Sequence, residues 1–235
     1  GASDFSGVHF FIAGGAPMAV DVIRRYQEEK GVPFAQGYGM TETLRITALD
    51  LAAAERKAGS IGKEVFHTTL AIQDDDGREL PPGGVGEIVV AGPTVFQGYW
   101  HNPRATAAVL RDGWFHTGDL AYRDDEGFIY LVGRKNDLII CSGENIYAAE
   151  VERAIEGHPK VAEAAVVGIP DVRRGEVPAA FIRLEEDGAL REEELLHYLE
   201  DKLAAFKCPR KIRFVRDLPR NQAGKVLKDE LKRPS

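Results

Sequence analysis

The chain has 235 residues, of which 44% are hydrophobic, and it carries a formal net charge of −7 at neutral pH. This length allows one large or two ordinary domains, and the hydrophobic content is enough to build their cores. The acidic balance argues against a general nucleic-acid binder and against a membrane-surface protein. Two cysteines, Cys141 and Cys208, are too few for a disulfide framework or a metal cluster, so we expect a reducing, cytoplasmic location. We expect no transmembrane segment and no cleaved leader, because no apolar run has the required length and flanks.

The first part of the chain has the pattern of an α/β unit. An apolar run at residues 8–13 predicts a strand, and the Gly-Gly-Ala-Pro string at 14–17 ends it. A helical face then follows, marked by Val22, Ile23 and Tyr26. A second short strand is predicted at residues 32–35, so the segment that follows lies beyond a strand's carboxyl end, where open α/β sheets bind ligands.

That following segment contains groups that could bind a nucleotide and a metal ion. Tyr38 offers a flat aromatic face for a base, Thr41 can donate to a phosphate oxygen, and Glu42 can hold Mg²⁺. Short Gly/Tyr/Thr strings also occur as plain turns, and the segment by itself does not decide between the two. Its residues are Gln36, Gly37, Tyr38, Gly39, Met40, Thr41 and Glu42.

The middle of the chain is rich in short β runs separated by turn signals. Strands are predicted at 70–73, 87–91 and 128–132, which indicates a small β-rich subdomain, with a barrel as one form it could take. One helix is predicted at residues 103–110, with Asn102 as its N-cap and Pro103 in its first turn.

The last part of the chain has the pattern of a compact α+β module. Strands are predicted at 161–169, 179–184 and 212–215, and they alternate with helices. One helix carries a core-facing stripe formed by Leu195, Leu196, Leu199, Leu203 and Phe206. The short charged string near Arg134 lies between apolar strands, so we predict a hinge there.

Several strings, in this order, resemble one known family. They are Gly14-Gly15-Ala16-Pro17, the segment around Tyr38, Gly98-Tyr99-Trp100, His116-Thr117-Gly118-Asp119-Leu120, Gly133-Arg134-Lys135-Asn136-Asp137, Ser142-Gly143-Glu144 and Pro219-Arg220-Asn221-Gln222-Ala223-Gly224-Lys225. In this order the chain resembles the carboxyl-terminal half of an adenylate-forming enzyme, most similar to the acyl-CoA synthetases.

The resemblance implies a fold and a division into domains. Residues 1–134 would be the carboxyl-terminal part of the large AMP-binding domain, with an α/β part and a β-rich subdomain. Residues 135–235 would be the small, mobile α+β domain, with Asn136 at the hinge. Family members more often have Lys or Asp at this hinge position.

The resemblance also implies two half-reactions and their site residues. A carboxylate would attack the α-phosphate of ATP to give an acyl-adenylate and pyrophosphate, and the thiol of coenzyme A would then displace AMP. Lys225 and Thr41 would be catalytic and Glu42 would hold Mg²⁺. The implied nucleotide-binding residues are Gly14, Gly15, Ala16, Pro17, Gln36, Gly37, Tyr38, Gly39, Met40, Thr41, Asp119, Arg134 and Lys225.

Coenzyme A would pass along the loop formed by Ser142, Gly143 and Glu144, and the basic stretch 202–233 could help hold its phosphates. The acid is expected to be a fatty acid first, with aryl and malonyl-type acids next. Alternatives are an adenylation domain that loads a carrier protein, a luciferase-like oxidase, or a non-catalytic fragment that binds nucleotide or coenzyme A.

The sequence lacks the Ser/Thr/Gly-rich phosphate loop that family members carry upstream. Without that loop the outer phosphates of ATP have no cradle, so we expect the isolated chain to make no acyl-adenylate at a useful rate. Its implied partners are a small carboxylic acid, coenzyme A and an amino-terminal part of the same enzyme.

Overall fold

The computed structural model describes residues 5–15, 20–185, 188–222 and 224–232. The chain divides into two compact units, the first ending at Val132 and the second beginning at Gly133. The predicted domain boundary, between Arg134 and Lys135, lies two residues later in the chain and stays a prediction.

The first unit begins with an α/β arrangement. Strands β1 (Phe11–Ala13) and β2 (Phe34–Met40) are parallel and are joined through helix α1 (Val20–Lys30). Strands β3 (Leu44–Ala48) and β4 (Lys63–Glu64) extend this sheet antiparallel, in the order β1-β2-β3-β4. A small aromatic cluster of Phe11, Tyr26 and Phe34 packs α1 against the sheet, as its apolar face predicts.

The segment predicted to be a ligand-binding loop is mostly a strand. Strand β2 continues through Tyr38 to Met40, and only residues 41–43 form the turn into β3. The physical reason is cross-strand pairing: Tyr38 lies opposite Thr47, and the buried Thr47 hydroxyl accepts a hydrogen bond from the Tyr38 N–H at 3.3 Å. Glycines on both sides of Tyr38 suggested a loop, but a partner strand outweighs their low strand propensity.

A second, five-stranded sheet completes the first unit, and its last strand runs two residues past the unit boundary. Its strands are β5 (Thr69–Gln73), β6 (Gly86–Ala91), β7 (Leu110–Arg111), β8 (Trp114–Arg123) and β9 (Ile129–Arg134). The strand order is β5-β6-β8-β7, and β9 also pairs with β8. Helix α2 (Pro103–Val109) precedes β7, and the Asn102 side chain caps it by accepting from the Ala105 N–H at 3.0 Å, as predicted.

The two sheets of the first unit are joined by a bridge between Gly62 and Ile129. The Gly62 carbonyl accepts from the Ile129 N–H at 2.9 Å, and the neighbouring Ile61 N–H donates to the Ile129 carbonyl at 2.9 Å. Gly62 has a φ of +89°, and a Cβ added there would lie 2.0 Å from the carbonyl oxygen of Ala48. A side chain at this position therefore has to displace backbone.

Gly62→Ala should lower the free energy of unfolding by more than about 2 kcal/mol, because backbone strain and a backbone clash add. Gly77→Ala is the matched control: Gly77 has a φ of +77° but open space at its Cβ position. Gly77→Ala should lower the free energy of unfolding by only about 1–2 kcal/mol, the cost of placing alanine in the left-handed conformation. Thermal unfolding of the two variants measures the difference, and equal losses of stability would show that the clash at Ala48 relaxes freely.

The second unit is an α+β module, as predicted. After a short 3₁₀ turn (Lys135–Asp137) come β10 (Leu138–Cys141), β11 (Glu144–Tyr147), α3 (Ala148–Glu156), β12 (Val161–Asp171), β13 (Gly175–Leu184), α4 (Glu192–Glu200), β14 (Lys211–Val215) and α5 (Lys228–Leu231). The sheet order is β11-β10-β13-β12, and β14 pairs with β13 in parallel.

The core of the second unit lies between this sheet and two helices. Val151 and Ile155 of α3 and Leu195 and Leu199 of α4 are fully buried in it. Helix α4 ends at Glu200, so Leu203 of the predicted stripe lies beyond the helix, yet it still packs into the same core. Within the described residues, no helix is both long and apolar enough to cross a membrane.

Candidate functional site

The first unit brings together two side chains that the sequence proposed separately for nucleotide binding. The Tyr38 hydroxyl of β2 donates to Oδ2 of Asp119 on β8 at 2.5 Å, although the residues lie 81 positions apart. Asp119 is 6% exposed. A carboxylate has about four lone-pair sites and can accept from several donors at once, such as the hydroxyls of a sugar.

A groove of about 460 Å³ lies along β1, β2 and β3, and Tyr38 is one of the residues that line it. Its walls are mostly apolar, and the buried side-chain nitrogen of Gln36 has no hydrogen-bond partner in the described part of the chain. An apolar slot with a buried donor suits a flat heterocycle, which needs stacking surface and a few polar contacts. The groove is lined by Phe10, Ile12, Ala13, Gly14, Ala35, Gln36, Gly37, Tyr38, Gly39, Met40, Leu44, Arg45, Ala48 and Leu49.

The predicted Gly14–Pro17 contact is only partly visible. Gly14 lines the groove, and a Cβ there would lie 3.4 Å from the carbonyl oxygen of Gly37, so the β1 end packs closely against β2. Gly15 follows with a φ of +83°. Ala16 and Pro17 lie outside the described residues.

The turn that carries Thr41 and Glu42 is held by a residue that the sequence analysis missed. Thr43 is fully buried, and its hydroxyl accepts from the Met40 N–H at 3.3 Å and donates to the Leu44 carbonyl at 3.1 Å. Thr41 is consequently left exposed at the tip. Thr43 belongs to the same Thr-Glu-Thr string, so side chain-to-backbone bonding at a tight turn was a usable signal.

Glu42 is positioned by Tyr99, which the sequence analysis noted without giving it a role. The Tyr99 hydroxyl donates to Oε1 of Glu42 at 2.9 Å, and the Glu42 carbonyl accepts from the Phe96 N–H at 2.7 Å. Burial raises the pKa of Tyr99, and the hydrogen bond to Glu42 raises it further. The phenol therefore stays protonated near neutral pH and remains a donor to the carboxylate.

The surroundings of Glu42 fit a magnesium ion shared with phosphates and do not fit an all-protein cage. In the described ranges there is no group of three or more His, Cys, Asp or Glu side chains that could hold a metal. Mg²⁺ is usually bound by one or two carboxylates together with substrate phosphates and water. A single oriented carboxylate beside an exposed Thr41 agrees with that arrangement.

In the second unit, Lys225 lies exposed on a tightly bonded turn. Asn221 closes the turn twice: its N–H donates to the Lys225 carbonyl and its Oδ1 accepts from the Lys225 N–H, both at 2.9 Å. The Arg220 guanidinium donates to the Gly224 carbonyl at 2.7 Å and pairs with Glu163. Sequence reasoning selected Lys225 but missed these supporting residues; Ala223 lies outside the described residues.

The predicted coenzyme A loop is the tip of a tight hairpin between β10 and β11. Cys141 and Glu144 pair across the strands, and Ser142 and Gly143 form the two-residue turn with φ values of 54° and 86°. Two positive φ values match the type I′ turn that two-residue hairpins favour. The Ser142 N–H donates to the Arg174 carbonyl at 2.8 Å, which fixes the tip against the turn between β12 and β13.

The remaining predicted residues lie near the start of the second unit. Arg134 is the exposed last residue of β9, and Asn136 lies in the middle of the 3₁₀ turn. The structure thus groups Tyr38, Asp119 and the Glu42 turn in the first unit. Arg134, Asn136, the hairpin tip and Lys225 belong to the second.

Comparison with protein families agrees with this arrangement of motifs. Residues 1–100 match the family described as AMP-binding enzyme. Residues 150–225 match the family described as AMP-binding enzyme C-terminal domain. Both parts of one family are thus found in the order in which the motifs predicted them.

Curated relatives match nearly all of this chain. It is 44% identical to a feruloyl-CoA synthase of Amycolatopsis over 233 residues, which are 99% of this chain and 47% of the relative. It is 46% identical to a 2-succinylbenzoate–CoA ligase of Bacillus cereus over 228 residues, which are 97% of this chain and 46% of the relative. The chain therefore spans about half the length of the curated relatives it matches.

Solved structures of an o-succinylbenzoate CoA synthetase from Bacillus subtilis have the same fold. The complex with the acyl-adenylate OSB-AMP gives a TM-score of 0.91 at 40% identity, over 98% of this chain and 47% of that chain. The complex with ATP and magnesium gives a TM-score of 0.87 at 41% identity, over 94% of this chain and 46% of that chain. These matches confirm the resemblance seen in the motifs, and the chain belongs to the family of adenylate-forming, AMP-binding enzymes.

Proposed function

We propose that the chain is the carboxyl-terminal part of an AMP-forming acid–CoA ligase. In the first half-reaction a carboxylate oxygen forms a bond to the α-phosphorus of ATP, the bond to the β-phosphate oxygen breaks, and pyrophosphate leaves. In the second, the sulfur of coenzyme A attacks the acyl carbon, AMP leaves with the bonding electron pair, and the thiol proton passes to solvent. The relatives named above are acid–CoA ligases or synthases, which supports this class.

The observation that carries the proposal is the hydrogen bond between Tyr38 and Asp119. It holds a carboxylate next to an aromatic side chain that lines the groove, and these are the groups needed for the hydroxyls of a ribose and for its base. Arg134 is proposed to reach the same sugar. Gly14, Gly15, Ala16 and Pro17 are proposed to line the base together with residues 36–40.

Lys225 and Thr41 are proposed to act on the reacting oxygens. The first step brings two anions together, so a cation placed between carboxylate and α-phosphate lowers the barrier. Lys225 offers a point charge on a long flexible side chain, and its exposed turn leaves that side chain accessible. Ser142, Gly143 and Glu144 are proposed to border the path of coenzyme A. Asn136 is proposed as the hinge at which the small domain rotates between the two half-reactions.

Glu42 is proposed to hold Mg²⁺ together with the phosphates of ATP. A bound Mg²⁺ would offset the negative charge of those phosphates. Tyr99 would fix the orientation of the Glu42 carboxylate by donating to its Oε1.

Tyr99→Phe tests this orientation. In the complete protein, loss of the hydroxyl should raise the Mg²⁺ concentration needed for half-maximal adenylate formation about tenfold, as is typical when a partner of a metal ligand is removed. Calorimetric binding of Mg-ATP against free ATP gives a second measurement that does not depend on turnover. Tyr26→Phe, in the aromatic cluster of α1, is the control. An unchanged Mg²⁺ requirement in Tyr99→Phe would show that Tyr99 does not orient Glu42 for Mg²⁺ binding.

The acid is proposed to carry an aromatic ring. The expected fatty acid has no support from the relatives named above, whose names specify feruloyl and succinylbenzoate groups. Most residues of an acyl pocket would lie in the part of the relatives that this chain does not match.

The deciding experiment is a thioesterification panel with the complete protein, across aryl, fatty and malonyl-type acids, with ATP, Mg²⁺ and coenzyme A. Release of AMP and pyrophosphate together with thioester is the expected result. Transfer to a phosphopantetheinyl carrier protein but not to coenzyme A would favour the carrier-loading alternative. The 235-residue chain by itself should give no ATP–pyrophosphate exchange, and measurable exchange would show that an upstream phosphate loop is dispensable.

A further inference from the structure

The segment that carries Asp119 departs from regular strand pairing. Strands β6 and β8 pair Glu87 with Leu120 and Val89 with His116. One residue of β6, Ile88, therefore faces the three residues of β8 from Thr117 to Asp119. This bulge, with three residues opposite one, pushes the Asp119 segment out of the regular ladder, and its N–H groups need partners outside that ladder.

Two side chains supply those partners. Oε1 of Glu87 accepts from the Gly118 N–H at 3.0 Å. The Thr117 hydroxyl accepts from the Asp119 N–H at 3.1 Å and donates to the Ile88 carbonyl at 2.8 Å. The bulge is thus held from β6 by a carboxylate and from within by a hydroxyl.

Glu87 is an unusual residue for its position. It is 7% exposed in the middle of a sheet whose neighbouring β6 positions, Ile88, Val89 and Val90, are fully buried. Its second oxygen, Oε2, lies 3.3 Å from Nδ1 of His116, the residue at the start of the bulge. A buried charge is costly unless it is well bonded, so an apolar side chain would serve the core better. Fixing the bulge accounts for the carboxylate.

The bulge in turn sets the position of Asp119 toward Tyr38. The 2.5 Å bond between the Tyr38 hydroxyl and Oδ2 of Asp119 requires the Asp119 backbone to stay where the bulge puts it. On the basis of the proposed function, we propose that Glu87 is a positioning residue for the ribose of the nucleotide. It does not touch the nucleotide; it acts through Gly118 and His116 by holding the segment that presents Asp119.

The test compares two nucleotides that differ only in the groups Asp119 would hold. The complete enzyme is titrated with ATP and with 2′,3′-dideoxy-ATP, and the ratio of the two dissociation constants measures recognition of the ribose hydroxyls. The wild-type ratio should be about tenfold to 100-fold in favour of ATP, the effect of losing a hydrogen bond to a charged acceptor.

Glu87→Met removes the acceptor oxygens at similar volume, so the ratio should fall to within about threefold of unity while dideoxy-ATP binding stays unchanged. Glu87→Gln keeps a carbonyl oxygen that can accept from Gly118, and it should retain most of the ratio. Glu79→Leu replaces an exposed carboxylate in the connection between β5 and β6 and is the control that should behave like the wild type.

A purely structural role for Glu87 would weaken both nucleotides equally and leave the ratio intact, which would overturn the inference. If Glu87→Met does not fold, Glu87→Asp keeps the buried charge but withdraws its oxygens by one methylene, and a full wild-type ratio there would equally overturn it. A wild-type enzyme that binds ATP without favouring it over dideoxy-ATP would refute the ribose assignment of Asp119 and the inference with it. No binding of either nucleotide would refute the proposed function itself.

Discussion

Replacing Lys225 by alanine should lower the rate of acyl-adenylate formation by about 10²–10³-fold in the complete enzyme. The proposed role is to stabilise negative charge that gathers between carboxylate and α-phosphate, and removing one such stabilising group has that order of effect. The binding of ATP should change much less, because the ribose and base contacts lie on other residues. ATP–pyrophosphate exchange measures the first half-reaction, and thioester formation from supplied acyl-adenylate measures the second.

Lys232→Ala is the matched control, since it removes a lysine from an exposed position just after α5. It should leave acyl-adenylate formation, the step assigned to Lys225, unchanged. Lys225→Arg should recover only part of the lost rate, because a planar guanidinium does not replace a compact ammonium at one reacting oxygen. A Lys225→Ala enzyme that forms the adenylate normally and fails only in thioester formation would falsify the assigned role.

Asp119→Ala is expected to have the next largest effect, a fall in kcat/KM for ATP of about tenfold to 100-fold or more. The change removes a charged acceptor for the ribose hydroxyls and takes away the partner of the Tyr38 hydroxyl. The ring that is proposed to stack on adenine then loses the bond made by its hydroxyl, while the bond from the Tyr38 backbone N–H to the Thr47 hydroxyl stays.

Tyr38→Phe separates the two contributions, because it removes the hydroxyl while keeping the ring and Asp119. It should cost less than Asp119→Ala, about tenfold in kcat/KM. Asp125→Ala, in an exposed turn after β8, is the control for loss of a carboxylate from the same unit. Steady-state kinetics with ATP varied gives all three values. Equal values of kcat/KM for ATP in Asp119→Ala and Asp125→Ala would show that Asp119 does not bind the nucleotide.

Local patterns predicted those features of the fold that depend on neighbours along the chain. Asn102 before Pro103 predicted a capped helix, and the Asn102 side chain does accept from Ala105. The leucine stripe of α4 predicted a face that is fully buried at Leu195 and Leu199. These features depend on residues that are only a few positions apart, so the sequence alone is enough to recognise them.

The same local rules failed where a distant strand supplied the partner. Glycines flanking Tyr38 predicted a loop, but β3 pairs with this segment and makes it a strand. The predicted helical stripe continued through Leu203 to Phe206, but the helix ends at Glu200, and both residues contact the core from the chain beyond it. Packing decides such boundaries, because propensities differ by less than the free energy gained on burial.

By itself the sequence determined the order of the motifs and, through them, the family and the candidate residues Tyr38, Asp119 and Lys225. Only the tertiary structure decided which side chains support the candidate site residues. Tyr99 donates to Glu42, Thr43 bonds to the backbone of the turn that carries Glu42, and Glu87 accepts from the N–H next to Asp119 in the chain. The physical reason is that each supporting contact depends on how the sheets pair or how the turn closes. A hydrogen bond across 81 residues, such as that from Tyr38 to Asp119, leaves no periodic trace in the sequence and exists only once β2 and β8 are in place.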